Sequence, residues 1–493
     1  MKLKIKFLKW SAGLPVAMLN ESTAKKIGVY PKDHVSIKTF SSSPRQTSTV
    51  IDVSNDLVRN NVIAVSSELK AILGISSGDH VSVNLTPPPK SLDIIKRKLL
   101  GGKLSEKEIQ DIISDVVSNT LSEAEIAMFV SAMYAEGMDI DETVYLIKAM
   151  LKTGNKINFN RKIVADKHSI GGIPGNRTTP IVVSICASVG LTIPKSSSRA
   201  ITSEAGTSDV IETIANVEFS PEEVKKIVTK TGACLVWGGA LEMLTADTKI
   251  IQIEKALKLD PEAQLLASIM SKKLAMGSNH ILVDIPFGDG AKVSHKKALE
   301  LKNKFELIGK KFNKKIKCVL TNGNQPIGNG IGPILGMKDI LKVLRQENGR
   351  PLDLEKKALF LSGELLELTG KAKKGKGEIF AQSILNSGKA LTKFTQIIEA
   401  QNGKIKDFGE AEFKRDIVIQ RDIKIKKIYN KKIIFLARIL GCPTDKFAGV
   451  YLYKHVNDRI EKGQKLLTLY SNSESRLKEA IEYYNHEKII ISD

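Results

Sequence analysis

The chain has 493 residues, of which 42% are apolar and 26% charged, which suits about three folded domains with ample core and excludes a disordered chain. Cys186, Cys234, Cys318 and Cys442 lie far apart with no C-x-x-C pair, which argues against a zinc site or disulfide framework and leads us to expect a reducing cytoplasm. The formal charge of +21 is spread as lysine over every segment, and aromatics reach only 5% with no basic-aromatic interleaving. A solvated lysine-rich surface is therefore expected rather than a nucleic-acid partner, and no stretch approaches the length of a membrane span.

At the N-terminus Leu3, Ile5 and Phe7 alternate with Lys2, Lys4 and Lys6, which is strand periodicity and not a signal-peptide block. Gly28-Val29-Tyr30-Pro31-Lys32-Asp33-His34-Val35-Ser36-Ile37 recurs as Gly74-Ile75-Ser76-Ser77-Gly78-Asp79-His80-Val81-Ser82-Val83. A helix-like stretch precedes each copy. The repeat predicts a pseudo-twofold β-barrel of the double-psi kind over 1–85. His34 and His80 are better explained as equivalent turn positions than as metal ligands, and the domain carries no visible chemistry. Leu85 to Lys90, with Pro87, Pro88 and Pro89, reads as a stiff linker. Beyond it, Ser105-x-x-Glu108 and Ser122-x-x-Glu125 are capping boxes that open helical apolar stripes, so 91–153 should be a helical subdomain, and 241–275 again reads as mainly helical.

Asp166-Lys167-His168-Ser169-Ile170-Gly171-Gly172-Ile173-Pro174-Gly175-Asn176-Arg177-Thr178-Thr179-Pro180 follows the apolar run Ile163 to Ala165 and leads into a helix pattern at Ile181. Strand, glycine-rich loop and helix in that order make either a phosphate cradle or a tight turn with incidental polar residues. Thr178 or Thr179 can cap the helix, and Lys167, Ser169 and Thr179 add a charge and two hydroxyls. The lysine precedes the glycines, so this is not a Walker A loop. Pro194 to Asp209, with Ser196, Ser197, Ser198, Arg199, Thr202, Ser203, Thr207 and Ser208, repeats the arrangement after Leu191 to Ile193. Gly288 to Lys292 does so after Ile281 to Ile285. In an open α/β sheet, loops leaving the carboxyl ends of the strands line one crevice and can face one ligand. Strands and helices alternate over 160–240 and 278–400, while 403–493 reads as a separate α+β domain. Lys371 to Gly377 looks like an exposed loop.

At three places, Asp166 to Gly172, Ser198 to Ser203 with Ala205-Gly206-Thr207, and Ala267-Ser268-Ile269-Met270-Ser271-Lys272-Lys273, the chain resembles the pyrimidine nucleoside phosphorylases, and most closely their AMP-cleaving branch. The resemblance runs from about residue 90 to the end, and the extra N-terminal domain is itself a mark of that branch. It implies a multidomain α/β and α+β protein of the nucleoside phosphorylase type II architecture, in which the helical lobe hinges against the α/β lobe and substrate binds between them. It implies phosphorolysis of AMP by inorganic phosphate to adenine and ribose 1,5-bisphosphate, with CMP and UMP as further candidates, in nucleotide salvage, by a homo-oligomer assembled through its N-terminal domain. No cofactor or metal is implied.

By the same resemblance Lys167, Ser169, Thr179 and Thr207 hold the attacking phosphate. Gly172, Ser198, Arg199, Ala200, Ile201, Thr202, Ser203, Thr207, Ser268 and Lys292 hold the nucleotide, with His168 and Lys272 in support. Asp260 is the general acid. Ile253 stands where thymidine phosphorylases hold a pyrimidine carbonyl with arginine, Lys292 replaces a phenylalanine of their base pocket, and Thr179 stands where they have serine. The residues themselves make Asp260, ahead of Pro261-Glu262, a natural helix cap, whose bonds to backbone N–H groups would lower its pKa when a proton donor needs the opposite. The enzymes that compete with this reading are an ordinary pyrimidine nucleoside phosphorylase and a phosphoribosyltransferase. A non-catalytic nucleotide-binding scaffold is the third alternative.

Overall fold

The computed structural model describes residues 1–8, 15–86, 89–200, 203–241 and 244–493. Pro87 and Pro88 of the expected linker, and Ile201 and Thr202 of the expected nucleotide loop, lie outside the described residues. The chain forms two compact units, residues 1–154 with 244–268, and residues 155–243 with 269–493.

In the first unit the sequence repeat becomes a barrel. Strands β1 (Lys2–Phe7), β2 (Val16–Leu19), β3 (His34–Thr39), β4 (Gln46–Val53), β5 (Val62–Val65) and β6 (His80–Leu85) close in the order β1-β5-β2-β4-β3-β6. Exchanging the halves maps the parallel pair β1·β5 onto β4·β2 and the antiparallel pair β1·β6 onto β4·β3. That is the pseudo-twofold expected of the repeat. Alternation places Leu3, Ile5, Val35, Ile37, Val81 and Val83 in its core. The repeated aspartates make the same turn bond: Asp33 accepts the Tyr30 N–H and Asp79 the Ser76 N–H, both at 2.8 Å.

Helices Lys90–Leu99, Glu106–Val117, Glu123–Glu136, Ile140–Lys152 and Thr245–Leu257 complete this unit. Both expected capping boxes form, and Asp139 with Glu142 adds a third. His34 reaches Glu125 at 3.3 Å. Burial would raise the Glu125 pKa, but the bonds from His34 and Ser122 outweigh it and lower the pKa to about 2. Glu142 is buried, and one of its oxygens takes both the Lys98 ammonium at 3.0 Å and the Leu104 N–H at 2.9 Å.

The second unit is built on parallel strands β7 (Ala165–Ser169), β8 (Ile193–Ser197), β9 (Ala233–Trp237), β10 (His280–Phe287) and β11 (Lys315–Asn322). Strand β10 pairs with β7 and β11, β8 pairs with β9, and a parallel bridge between Val164 and Thr192 sets β8 beside β7. The resulting order is β11-β10-β7-β8-β9. Helices Thr178–Ser188, Leu352–Leu368, Gly377–Asn386 and Lys389–Ala400 pack a core of Ile181, Val182, Ile185, Leu361, Leu365 and Phe394 against it. Residues 403–493 form an α+β domain with its own core. A short strand, Gly330–Ile331, pairs antiparallel with Gly449–Leu452 and carries their sheet into the α/β body.

The buried Lys98–Glu142 pair gives a stability prediction. Glu142→Ala removes the acceptor of both groups and should cost about 3–5 kcal/mol in denaturant unfolding, the usual penalty for stranding a buried charge. Lys98→Met combined with Glu142→Leu should recover most of that loss.

Candidate active site

The strands that enter the site are longer at their carboxyl ends than the apolar runs predict. The run Ile163 to Ala165 was expected to be the strand and Asp166 to Ser169 part of the loop; instead β7 spans Ala165–Ser169 and β8 spans Ile193–Ser197, so Asp166, Lys167, His168 and Lys195 are strand residues. Polar groups survive inside the sheet because they neutralise one another. Asp166, fully buried, accepts from Lys195 at 3.1 Å and from Lys273 at 2.9 Å, and both lysines are buried as well. On the next strand Asp284 pairs with Lys357 at 3.1 Å and accepts from the Thr321 hydroxyl at 2.6 Å. Burial pushes the Asp284 pKa up, but Lys357, Lys167 and Thr321 bring it below the ordinary carboxylate range.

Lys167 points into the start of the following helix. Its side chain is almost wholly buried, and Nζ donates to the Thr178 hydroxyl at 2.8 Å and to the Thr179 hydroxyl at 3.3 Å. The expected threonine cap does not form: Arg177 occupies the cap position without a side-chain bond, and the Thr178 and Thr179 hydroxyls serve Lys167 in the first turn instead. Burial, moderated by Asp284 and Asp166, lowers the Lys167 pKa to about 8. His168 is pushed well below its ordinary value by burial and then by Lys273, Lys195, Lys272 and Lys167, so its ring is neutral. Ser169 ends the strand, and its hydroxyl lies 3.5 Å from the Gly171 N–H.

Two glycines shape the loop that follows. Gly172 has φ +90°, and a side chain there would press within 3.2 Å of Lys292, so this loop lies against the one after β10. Gly175 has φ +70°, and a Cβ would come 2.3 Å from the Ile327 carbonyl oxygen. Arg177 and Glu204, both buried, pair at 2.5 Å. Glu204 also accepts the Gly175 N–H at 3.0 Å, and Arg177 donates to the Ala205 carbonyl at 2.9 Å. The first loop is thereby tied to the second.

The second loop is organised from within. Asp209 accepts the N–H groups of Ala200 and Gly206, each at 2.7 Å. Arg199 is held by Glu212 through two bonds at 2.8 and 2.6 Å and by Glu218 at 2.8 Å, and it stacks on Trp237 at 4.7 Å. Its guanidinium is thus committed to carboxylates, with the pKa raised first by Glu212, and it is placed to shape the loop. Ser198 is exposed, Ser203 donates to the Ala205 carbonyl at 3.3 Å, and Thr207 is half-buried at the start of helix Thr207–Ile211. Lys292 is exposed in the loop after β10.

Ser268 and Lys272 lie on helix Glu262–Ala275, where Ser268 is buried. The first bond of that helix runs from the Leu265 N–H to the Pro261 carbonyl at 3.0 Å. Pro261 therefore holds the cap position, and Asp260 stands one residue outside it, exposed. Ile253 is buried in helix Thr245–Leu257. Sequence reasoning missed the partners that fix these loops: Arg177, Glu204, Asp209, and the buried Asp166, Lys195 and Lys273. The signal was present in the charges interrupting the ends of the strands.

A helical bundle, a parallel α/β sheet with glycine- and serine-rich loops at its carboxyl edge and an appended α+β domain define a class. Residues 92–154 match the family model described as glycosyl transferase family, helical bundle domain, and 161–391 match glycosyl transferase family, a/b domain. Residues 424–491 match the pyrimidine nucleoside phosphorylase C-terminal domain. Similar full-length proteins include an AMP phosphorylase of Pyrococcus furiosus, 43% identical over 98% of this chain and 96% of that one. AMP phosphorylase 1 of Archaeoglobus fulgidus is 38% identical over 98% and 95%, and an AMP phosphorylase of Methanocaldococcus jannaschii 41% over 95% and 93%. The chain belongs to the AMP phosphorylase family. In fold alone it is also similar to the anthranilate phosphoribosyltransferase of Thermus thermophilus, with a TM-score of 0.53 at 17% identity, over 63% of this chain and all of that one. Among the described residues no helix is long and apolar enough to cross a membrane.

Lys167 sets a pH dependence with two opposite signs. Its pKa is about 8 when folded and about 10.4 when unfolded, so the unfolded chain binds more protons between these values. This group's contribution to stability therefore rises with pH across that window, while its charge is lost. Phosphate affinity should fall as pH climbs through about 8 while the fold does not weaken on this account, a difference that titration calorimetry and thermal unfolding on the same samples will read.

Proposed function

We propose that this protein catalyses the phosphorolysis of AMP, giving adenine and ribose 1,5-bisphosphate with inversion at the anomeric carbon. The observation that carries the reading is the buried Lys167 ammonium, presented with the Thr178 and Thr179 hydroxyls at the mouth of a glycine loop, in a chain whose relatives over nearly its whole length are AMP phosphorylases. Lys167, Ser169, Thr179 and Thr207 would hold the attacking phosphate, and Thr178 joins them by its bond to Lys167. Gly172, Ser198, Ser203, Ser268 and Lys292 would contact the nucleotide, together with Ile201 and Thr202. Arg199 and Ala200 would set the shape of that loop through Glu212 and Asp209. His168 and Lys272 would act in support.

Cleavage builds positive charge on the sugar and negative charge on the leaving base. The reaction therefore needs a nucleophile held in line and a proton for the purine. Holding a dianion against the lysine supplies the first. Asp260 is proposed to supply the second, as the resemblance to the family implies. The exchange involves neither redox nor carbon-skeleton chemistry. Ile253, buried and apolar, stands where the resemblance puts the arginine of thymidine phosphorylases, which speaks against an ordinary thymidine phosphorylase. The +21 charge suits an anionic substrate. Assembly into a homo-oligomer through the N-terminal barrel, and use of CMP and UMP, belong to the same proposal.

Three measurements test it. Adenine should be released from AMP only when phosphate is supplied, and adenosine should be far poorer; equal rates on adenosine or thymidine would make this an ordinary nucleoside phosphorylase. Lys167→Ala should weaken phosphate by about 10- to 150-fold, the worth of one charge-assisted contact. Asp260→Asn should lower turnover by about 100- to 10,000-fold at an unchanged melting temperature, and near-normal turnover at normal stability would remove the acid role.

A further inference from the structure

Buried charge at the site does not balance. On and beside β7, β8 and β10 the side chains of Lys167, Lys195, Lys273 and Lys357 are all buried or nearly so, against the buried carboxylates Asp166 and Asp284. The surplus is concentrated where Asp166 alone receives both Lys195 and Lys273. These three residues come from three elements. Asp166 precedes Lys167 on the strand that ends in the glycine loop, and Lys195 lies three residues before Ser198 on the strand that ends in the second loop. Lys273 adjoins Lys272 on its helix and also reaches the Ser196 carbonyl at 3.4 Å.

We propose that Asp166 is the positioning residue of the reaction: through Lys195 and Lys273 it holds the two ligand loops and the Lys272 helix in register, and the surplus positive charge of this cluster is what the bound phosphate dianion balances. The inference rests on the phosphorolysis reading and extends it to residues that touch no substrate. A carboxylate shared by two ammonium groups in a low-dielectric interior compensates only one of them, so the second is costly until another anion arrives. Among the described residues, the titratable groups facing the cluster include Lys167 and His168 on β7, Cys234 on β9, Asp284 on β10, Lys272 beside Lys273, and Lys357 from helix Leu352–Leu368. His168 is neutral, and burial pushes the Cys234 thiol up, so neither supplies the missing negative charge. Burial and the neighbouring Lys195 pull the Lys273 pKa down, against Asp166. A dianion arriving at Lys167 reverses that balance, so binding should draw a proton into the cluster.

The test uses the full-length protein with inorganic phosphate as the probe, at about pH 8, where phosphate is mainly the dianion. Titration calorimetry in buffers of different ionisation enthalpy counts the protons taken up, and steady-state kinetics separates the KM for phosphate, the KM for AMP and kcat. Wild type should take up a fraction of a proton. Lys273→Met and Lys195→Met each leave a matched pair and so keep the fold. Both should reduce the uptake and raise the KM for phosphate by about 10-fold or more, and Lys195→Met should raise the KM for AMP as well because it frees the second loop. Asp166→Asn should raise both KM values, and if it does not fold the two methionine variants still decide. Wild-type proton uptake and wild-type KM values retained in both methionine variants would overturn the positioning role, even if melting temperatures fell. Failure of wild type to release adenine from AMP would instead sink the phosphorolysis reading. The calorimetry would then still report on the cluster, because it needs only phosphate.

Discussion

A single buried carboxylate, Asp166, is the constraint on which the second unit turns. Two neighbouring parallel strands carry ammonium and carboxylate groups into the interior, a placement that costs several kcal/mol per isolated charge and is tolerated only when each charge meets a partner. Asp166 meets two, from the adjacent strand and from helix Glu262–Ala275. The arrangement fixes the strands in register, and register fixes where the loops begin: Ser198 emerges after Lys195, and the glycines emerge after Lys167.

Rigidity then passes outward. Arg177 and Glu204 join the first loop to the second below the surface, and Asp209 folds the second loop around its carboxylate by taking two N–H groups. Glu212 takes Arg199 from the loop and Lys446 from the C-terminal domain, at 2.6 Å each. The C-terminal domain therefore reaches the carboxylate that holds the Arg199 loop. Gly336, on the helix that follows the shared strand, lies so close to Arg177 that a Cβ would sit 2.9 Å from its Nε. Packing against the α/β body and the strand Gly330–Ile331 make residues 403–493 a support for the site.

The first unit follows a different logic. Its barrel is specified by alternation and by a repeat, so each half restates the other. That is why a pseudo-twofold barrel could be anticipated from the repeat. The helices behind it were legible for a similar reason, since Ser105, Glu108, Ser122 and Glu125 close their capping boxes within one turn of chain.

By itself the sequence determined whatever depends on near neighbours: the repeat and its barrel, the capped helices, the three loops that follow strands, and the family motifs carrying Lys167, Ser198 to Ser203 and Lys272. Tertiary structure alone decided the rest. The strands run on through Asp166 and Lys195 because charges 29 residues apart pair across them. Thr178 and Thr179 turn to Lys167 instead of capping, and Arg199 is taken up by three carboxylates. In each case a polar side chain had a plausible local use, and a partner brought close only by folding offered a stronger one. Burial removes water as the competing partner, so the free energy of a buried polar group is set by what the fold places beside it and not by its neighbours in the chain.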